Sequence, residues 1–157
     1  MKLIFSGHVY GTRSQSLNFN SNLMTTRFLE IFTWILRVVA AVIMLQTLYF
    51  KFTADPQSVK LFSLLGMEPW GRIGTGVVEL IASVLILIPR TTGIGAVMGL
   101  GVMSGAIFFH LTKLGIVFDG DAILFIYAVL VFVSCAALTF IYKESLLQII
   151  NFQHKKI

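Results

Sequence analysis

Apolar residues in this chain recur at neither a helical nor a strand period. They run on almost without interruption in four stretches, at residues 28–50, 71–88, 93–111 and 122–142. Each stretch is close to the ~17–25 residues that a helix needs to cross a ~30 Å hydrocarbon core. A helix that is apolar all round has no face to offer water, which argues against a water-soluble bundle. Strands of a membrane barrel would be about half as long and would alternate in polarity, and no alternation is present. The pattern therefore predicts an all-α fold, an antiparallel bundle of four transmembrane helices.

The breaks between the stretches agree. Pro56 and Pro69 bracket the first loop, which is the longest, and Pro89 ends the second span in a tight Pro-Arg-Thr-Thr-Gly hairpin. The segment KLGIVFDGD separates the third span from the fourth, and Asp119 or Asp121 is placed to cap the fourth helix by accepting from its free amides. Residues 1–23 differ from all of this. Ser, Asn and Gly dominate them, and the apolar piece at Leu3 to Phe5 is too short for a signal-peptide core. A polar, disordered or loose segment is expected there. Met24 opens a more ordinary start, so the natural start is expected at Met24. Residues 24–143 form the transmembrane domain. Residues 144–157 form a short cytoplasmic or interfacial tail, with Leu146, Leu147 and Ile150 at near-helical spacing ahead of His154, Lys155 and Lys156.

Composition sharpens the picture. Hydrophobic residues make up 57% of the chain and charged residues 12%, with a mean hydropathy of +0.88. Soluble domains carry about 25% charge, so lipid is the natural solvent and the bilayer the first partner. The formal charge of +5 does not point to nucleic acid, because the basic residues are scattered near span ends. Lys2, Arg13, Arg27, Arg90, Lys143, Lys155 and Lys156 fall on one side of the predicted bundle, and Lys51, Lys60, Arg72 and Lys113 on the other. The larger set predicts that both termini are cytoplasmic, in the cell (inner) membrane. The one cysteine, Cys135, rules out an internal disulfide or a CxxC pair and reads as a small packing residue.

Ionisable residues at membrane depth are expensive and are the best leads to a site. Arg37 lies nine residues past Phe28 and Glu79 ten residues before Pro89, so each falls roughly 15 Å from the same side. Matched depths predict an Arg37–Glu79 ion pair, which either locks two helices or lines a polar cavity. Arg72, Gly76, Glu79 and Ser83 share one helix face, as do Arg37, Ala41, Met44, Leu48 and Lys51. These two stripes predict a polar seam that opens at the non-cytoplasmic end. The third span holds Gly95-xxx-Gly99 and Gly101-xxx-Gly105, spacings that let helix backbones approach within the bundle or between protomers. His110 ends that span, and with Asp119, Asp121 and Lys51 it makes a candidate outer polar cluster. One histidine with loop carboxylates is a weak metal signal, and no metal site is predicted. The chain has no Walker loop, dinucleotide-binding glycine motif, HExxH or GxSxG, and its bundle offers a b-type haem one axial histidine, His110.

From about Arg27 to Tyr142 the chain resembles the DoxX-like family of four-helix membrane proteins. The resemblance rests on Arg37 in the first span and Lys51 ending it, then Gly66 in LLGMEP and the membrane carboxylate Glu79. It continues through the Pro-Arg-Thr-Thr-Gly hairpin, the glycine-rich third span ending in His110, and HLTKLGIVFDGDAILF. It implies that Arg37, Lys51, Glu79 and His110 are recurring polar positions. It also implies membrane complexes linked to thiosulfate:quinone oxidoreduction or to oxidative and thiol stress, with a quinone as the implied cofactor. The residues themselves offer no cysteine pair for sulfur chemistry and no cofactor ligand set. The expected function is a non-enzymatic accessory subunit of a redox-linked membrane complex, partnered by other subunits or by copies of itself. The alternative is a quinone- or lipid-binding oxidoreductase subunit or carrier that uses a polar cavity around Arg37 and Glu79. Catalytic residues are not assignable, and the cavity candidates are Arg37, Glu79, Lys51, Arg72 and His110.

Overall fold

The computed structural model describes the backbone of residues 9–154 and the side chains of residues 26–148. Every regular element in that range is helical. Helix α1 spans Val9–Phe52, α2 Pro56–Leu64, α3 Trp70–Leu87 and α4 Thr92–Phe109, which a π-helical turn extends over His110–Leu114. Helices α5 and α6 span Ile123–Ile141 and Lys143–His154. Four segments are long and apolar enough to cross a membrane: Thr26–Phe52, Trp70–Leu87, Thr92–Leu114 and Ile123–Ile141. They fall where the four apolar stretches are.

The chain divides into two compact units, residues 1–35 and residues 36–157. In the first, α1 is helical from Val9, inside the segment whose composition predicts disorder. Once a helix exists, each added residue brings a hydrogen bond for one more fixed residue, so polar composition does not stop it. Residues 1–8 lie outside the described part of the chain. Phe28 and Phe32, one helical turn apart, stack with ring centroids 6.5 Å apart, and Thr33 donates to the carbonyl of Glu30.

The second unit is the bundle. Each spanning helix buries one stripe and exposes the rest: Arg37, Ala40, Met44 and Leu48 on α1, and Arg72, Gly76, Glu79 and Ser83 on α3. Met44, Ile86, Val131, Cys135 and Leu138 lie at the centre, almost wholly inaccessible. Exposed Val42, Ile81, Val97 and Val133 form part of the outer surface, as expected where the solvent is lipid. Glycine sets how closely α4 approaches its neighbours. A Cβ on Gly95 would lie 2.7 Å from the backbone nitrogen of Ile86, and one on Gly99 2.9 Å from Cys135 Sγ. Gly93 is similarly crowded by Leu146 of α6. Gly101 and Gly105, by contrast, have nothing within 4 Å of where a Cβ would stand.

Another element departs from the sequence reading. The stretch between Pro56 and Pro69 holds a helix, α2, where a loop is expected. Asp55 accepts from the amide of Gln57 at 3.0 Å, and Pro56 sits in the first turn, where its missing N–H is no loss. Gly66, at φ +70°, turns the chain out of this helix in a conformation that favours glycine. Phe62 is the residue that anchors α2 by burial.

Candidate functional site

At the end of the bundle that carries α2, the buried stripes of α1 and α3 converge on a charged network. Lys51 stands in the last turn of α1, where a cation complements the helix dipole. Its Nζ lies 2.5 Å from Glu79 Oε1. Thr47 Oγ1, one turn back, lies 3.1 Å from Glu79 Oε2 and 2.8 Å from the carbonyl of Met44. Gly76 allows this closeness, since a Cβ there would stand 3.2 Å from the ring of Phe52. Arg72 lies one turn before Gly76, near the start of α3. It grips Glu68 through Nε and Nη2 at 2.7 to 3.0 Å, and its Nη1 donates to the backbone carbonyl of Lys51. That carbonyl belongs to the last turn of α1, where main-chain acceptors lack a helical donor. The side chain of Glu79 is 3% exposed and that of Lys51 15%, so the pair is held largely out of solvent.

The ion pair expected between Arg37 and Glu79 does not form. Glu79 meets Thr47, and Arg37 lies ten residues before Thr47, as Pro89 lies ten after Glu79. In antiparallel helices this places Arg37 level with the hairpin after α3, roughly 15 Å from Glu79. There Arg37 Nη2 donates to the hydroxyl of Tyr142, and its guanidinium lies 5.2 Å from the centroid of that ring. Residue 28 is no membrane edge from which depth can be counted, because α1 passes through it without a break.

Beside the Lys51–Glu79 pair lies a cavity of about 530 Å³, walled by α1, α2, α3, α4 and α5. Most of its wall is apolar, including Phe50, Phe62, Met103 and Phe109; its polar groups include Lys51, Glu79, His110 and Tyr127. Gly101 and Gly105 contribute wall without side-chain volume. Arg37 and Arg72 do not line it.

His110 is 4% exposed and opens the π-helical turn. Its Nδ1 lies 2.8 Å from the carbonyl of Gly115, and its ring meets Phe125 edge-on at 5.6 Å. The outer polar cluster is looser than its sequence suggests. Asp119 pairs with Lys60 of α2 at 2.5 Å, and Asp121, one residue before the cap Ala122, accepts from the amide of Ile123, the first residue of α5, at 3.0 Å. No three His, Cys, Asp or Glu among the described residues stand together as a metal site requires. Thr47, Glu68, Tyr127 and Tyr142 complete the arrangement and were not singled out from sequence. Tyr142 marks a helix exit in the primary structure, and only its contact with Arg37 shows why it matters.

Four apolar spans, single buried stripes and a largely apolar cavity with an internal ion pair define a small integral membrane protein with its polar chemistry turned inward. The chain belongs to the DoxX-like family, whose model matches residues 35–138, about two thirds of its length. The matched region contains Arg37, Lys51, Glu79 and His110 and ends before Tyr142. No curated protein and no solved structure matches the chain.

Proposed function

We propose that this protein is an accessory subunit of a membrane complex and that its cavity holds a lipophilic molecule with a polar head. The cavity itself carries the reading. Its volume of about 530 Å³ falls within the range of roughly 300–1,000 Å³ typical of small-molecule sites, and like them it has a mostly apolar surface with polar groups set into it. A lipid or a quinone has the matching shape, with its head near Lys51 and Glu79 and its tail along Phe50, Phe62 and Phe109. The reading leans away from independent catalysis because Lys51 and Glu79 neutralise each other and Cys135 packs into the bundle core rather than the cavity wall. Under the orientation predicted from the basic residues, the cavity faces away from the cytoplasm.

Purification from native membranes in mild detergent, followed by solvent extraction and mass spectrometry, tests this directly. One amphiphile is expected to co-purify well above its share of the membrane lipid and to be depleted in Gly105→Leu, whose side chain would grow into the cavity. A lipid profile identical to bulk membrane in both proteins would refute the holding role. A stoichiometric protein partner supports the subunit role, and a lone stable homo-oligomer counts against it. A second reading, a quinone-binding carrier or oxidoreductase subunit, draws on the buried carboxylate beside the Thr47 hydroxyl. Quinone binding that survives Glu79→Ala would remove that carboxylate from it.

A further inference from the structure

We infer that helix α2 is a lid over the cavity, held shut by the ion pair between Lys60 and Asp119; the inference rests on the holding role proposed above for what passes the lid. Gln57, Ser58, Leu61 and Phe62 of α2 line the cavity. The other helices of its wall belong to the four membrane spans. Helix α2 is therefore the wall element that can move without dragging a span through lipid. Its connections suit that movement. The chain leaves α1 through Ala54 at φ +54° and leaves α2 through Gly66 at φ +70°. Left-handed residues end helices, and here the amide of Asp55 returns to the carbonyl of Phe50 at 3.1 Å and that of Met67 to Phe62 at 2.9 Å. Helix α2 is thus a separate rigid piece between two sharp turns. Alanine, unlike glycine, meets a steric penalty in the left-handed region, so the turn at Ala54 is strained as built, and a change of backbone there relieves it.

What holds α2 down is slight. Phe62 is its buried residue, and Phe62 is itself part of the cavity wall. The other tie is Lys60, which reaches Asp119 at 2.5 Å while the two side chains stay 56% and 38% exposed. Lys60 Nζ also lies 5.8 Å from the ring centroid of Phe118. The receiving side is firm. Phe118 is buried, and its amide donates to the carbonyl of Asp121 at 2.8 Å, which clips the turn that carries Asp119. A weakly held helix is thus latched to an anchored turn. An exposed ion pair adds little stability and weakens further in salt. A latch of that strength lets α2 open often and sets how often it does.

Cysteine labelling of the full chain in lipid nanodiscs tests the inference. Gly105→Cys in a Cys135→Ala background puts a thiol in the cavity wall, at a position where a Cβ meets nothing within 4 Å. The probe is a charged methanethiosulfonate reagent, which the bilayer excludes and which reaches the thiol from water once the lid is open. Labelling that waits on opening scales with the open population. Asp119→Asn removes the latch charge and keeps a residue that tolerates φ +57°. It is expected to label about threefold faster than the parent, the fold-change of a typical exposed pair. Lys60→Gln should do the same, and the two together no more than either alone, because they remove one interaction. Raising salt from about 0.01 M to about 1 M shortens the screening length from about 30 Å to about 3 Å; it should speed the parent and leave both variants unchanged. Equal rates in parent and variants, or a thiol that never labels, would overturn the lid and leave the holding role standing. An amphiphile profile identical to bulk membrane in the extraction experiment would remove the holding role, while the labelling rates still decide whether α2 opens.

Discussion

Lys51 and Glu79 form an ion pair between two helices in a place where neither charge is well solvated. Such a pair contributes little net stability, but removing one partner leaves the other charge without compensation. Glu79→Gln is therefore expected to destabilise the protein by about 2 kcal/mol, below the 3–5 kcal/mol of a fully buried pair because Lys51 keeps some exposure. The double substitution Lys51→Met with Glu79→Leu should recover much of that loss. Thermal unfolding in detergent, arranged as a double-mutant cycle, measures the coupling; strictly additive losses would show that the two side chains do not depend on each other. Tyr142→Phe isolates the other polar contact. It deletes a hydrogen bond from a guanidinium, and a loss of about 1.5 kcal/mol is expected. That variant should leave lipid retention unchanged, because Tyr142 lies at the hairpin end of the bundle, away from the cavity wall.

The helices show a division of labour among the glycines of α4. Gly95 faces the backbone of α3 itself, so Gly95→Ala must push two helices apart, and a loss of about 2 kcal/mol is expected. Gly101→Ala and Gly105→Ala meet nothing within 4 Å, and the better helix propensity of alanine should make both neutral or more stable by up to about 1 kcal/mol. Parallel melting curves of the three variants decide it, and equal losses at all three would overturn the assignment. From sequence, Gly95-xxx-Gly99 and Gly101-xxx-Gly105 are the same motif. The difference is set by what stands opposite, which a single chain of letters does not record. The buried stripes were legible for the opposite reason. A charge or a serine every third or fourth residue in an otherwise apolar helix has one affordable place to point, so Arg72, Glu79 and Ser83 declared their face. Partner choice was not legible, because it depends on the relative sliding of α1 and α3 and on the reach of Lys51. Helix α2 was detectable in principle: Asp55 followed by Pro56 is a start signal, and only the shortness of the segment hid it.

The molecule as a whole has two unlike ends, and this bears on how it sits in the bilayer. Counting every Lys and Arg outside the apolar stretches gives only a modest excess on the side of the hairpin and the tail. The structure removes two residues from the opposing count. Lys51 and Arg72 are not loop cations but helix residues, engaged with Glu79 and Glu68 between α1 and α3. Lys60 and Lys113 are then the basic residues left at the α2 end. Arg90 and Lys143 stand exposed at the other end, and the sequence continues to Lys155 and Lys156. The positive-inside rule weighs basic residues in short loops near span ends, so this recount strengthens the prediction that the hairpin at Arg90 is cytoplasmic and the α2 end is not. Single cysteines at Arg90 and Lys60 in a Cys135→Ala background test it with a membrane-impermeant maleimide on intact cells. Labelling at position 60 and protection at position 90 until the cells are broken is the expected outcome. The reverse pattern would place the mouth of the cavity on the cytoplasmic side. Labelling of both positions in intact cells would point to a chain inserted in two orientations. The expected pattern puts the Lys51–Glu79 pair and His110 nearer the outer leaflet, so a ligand held there would be drawn from that leaflet.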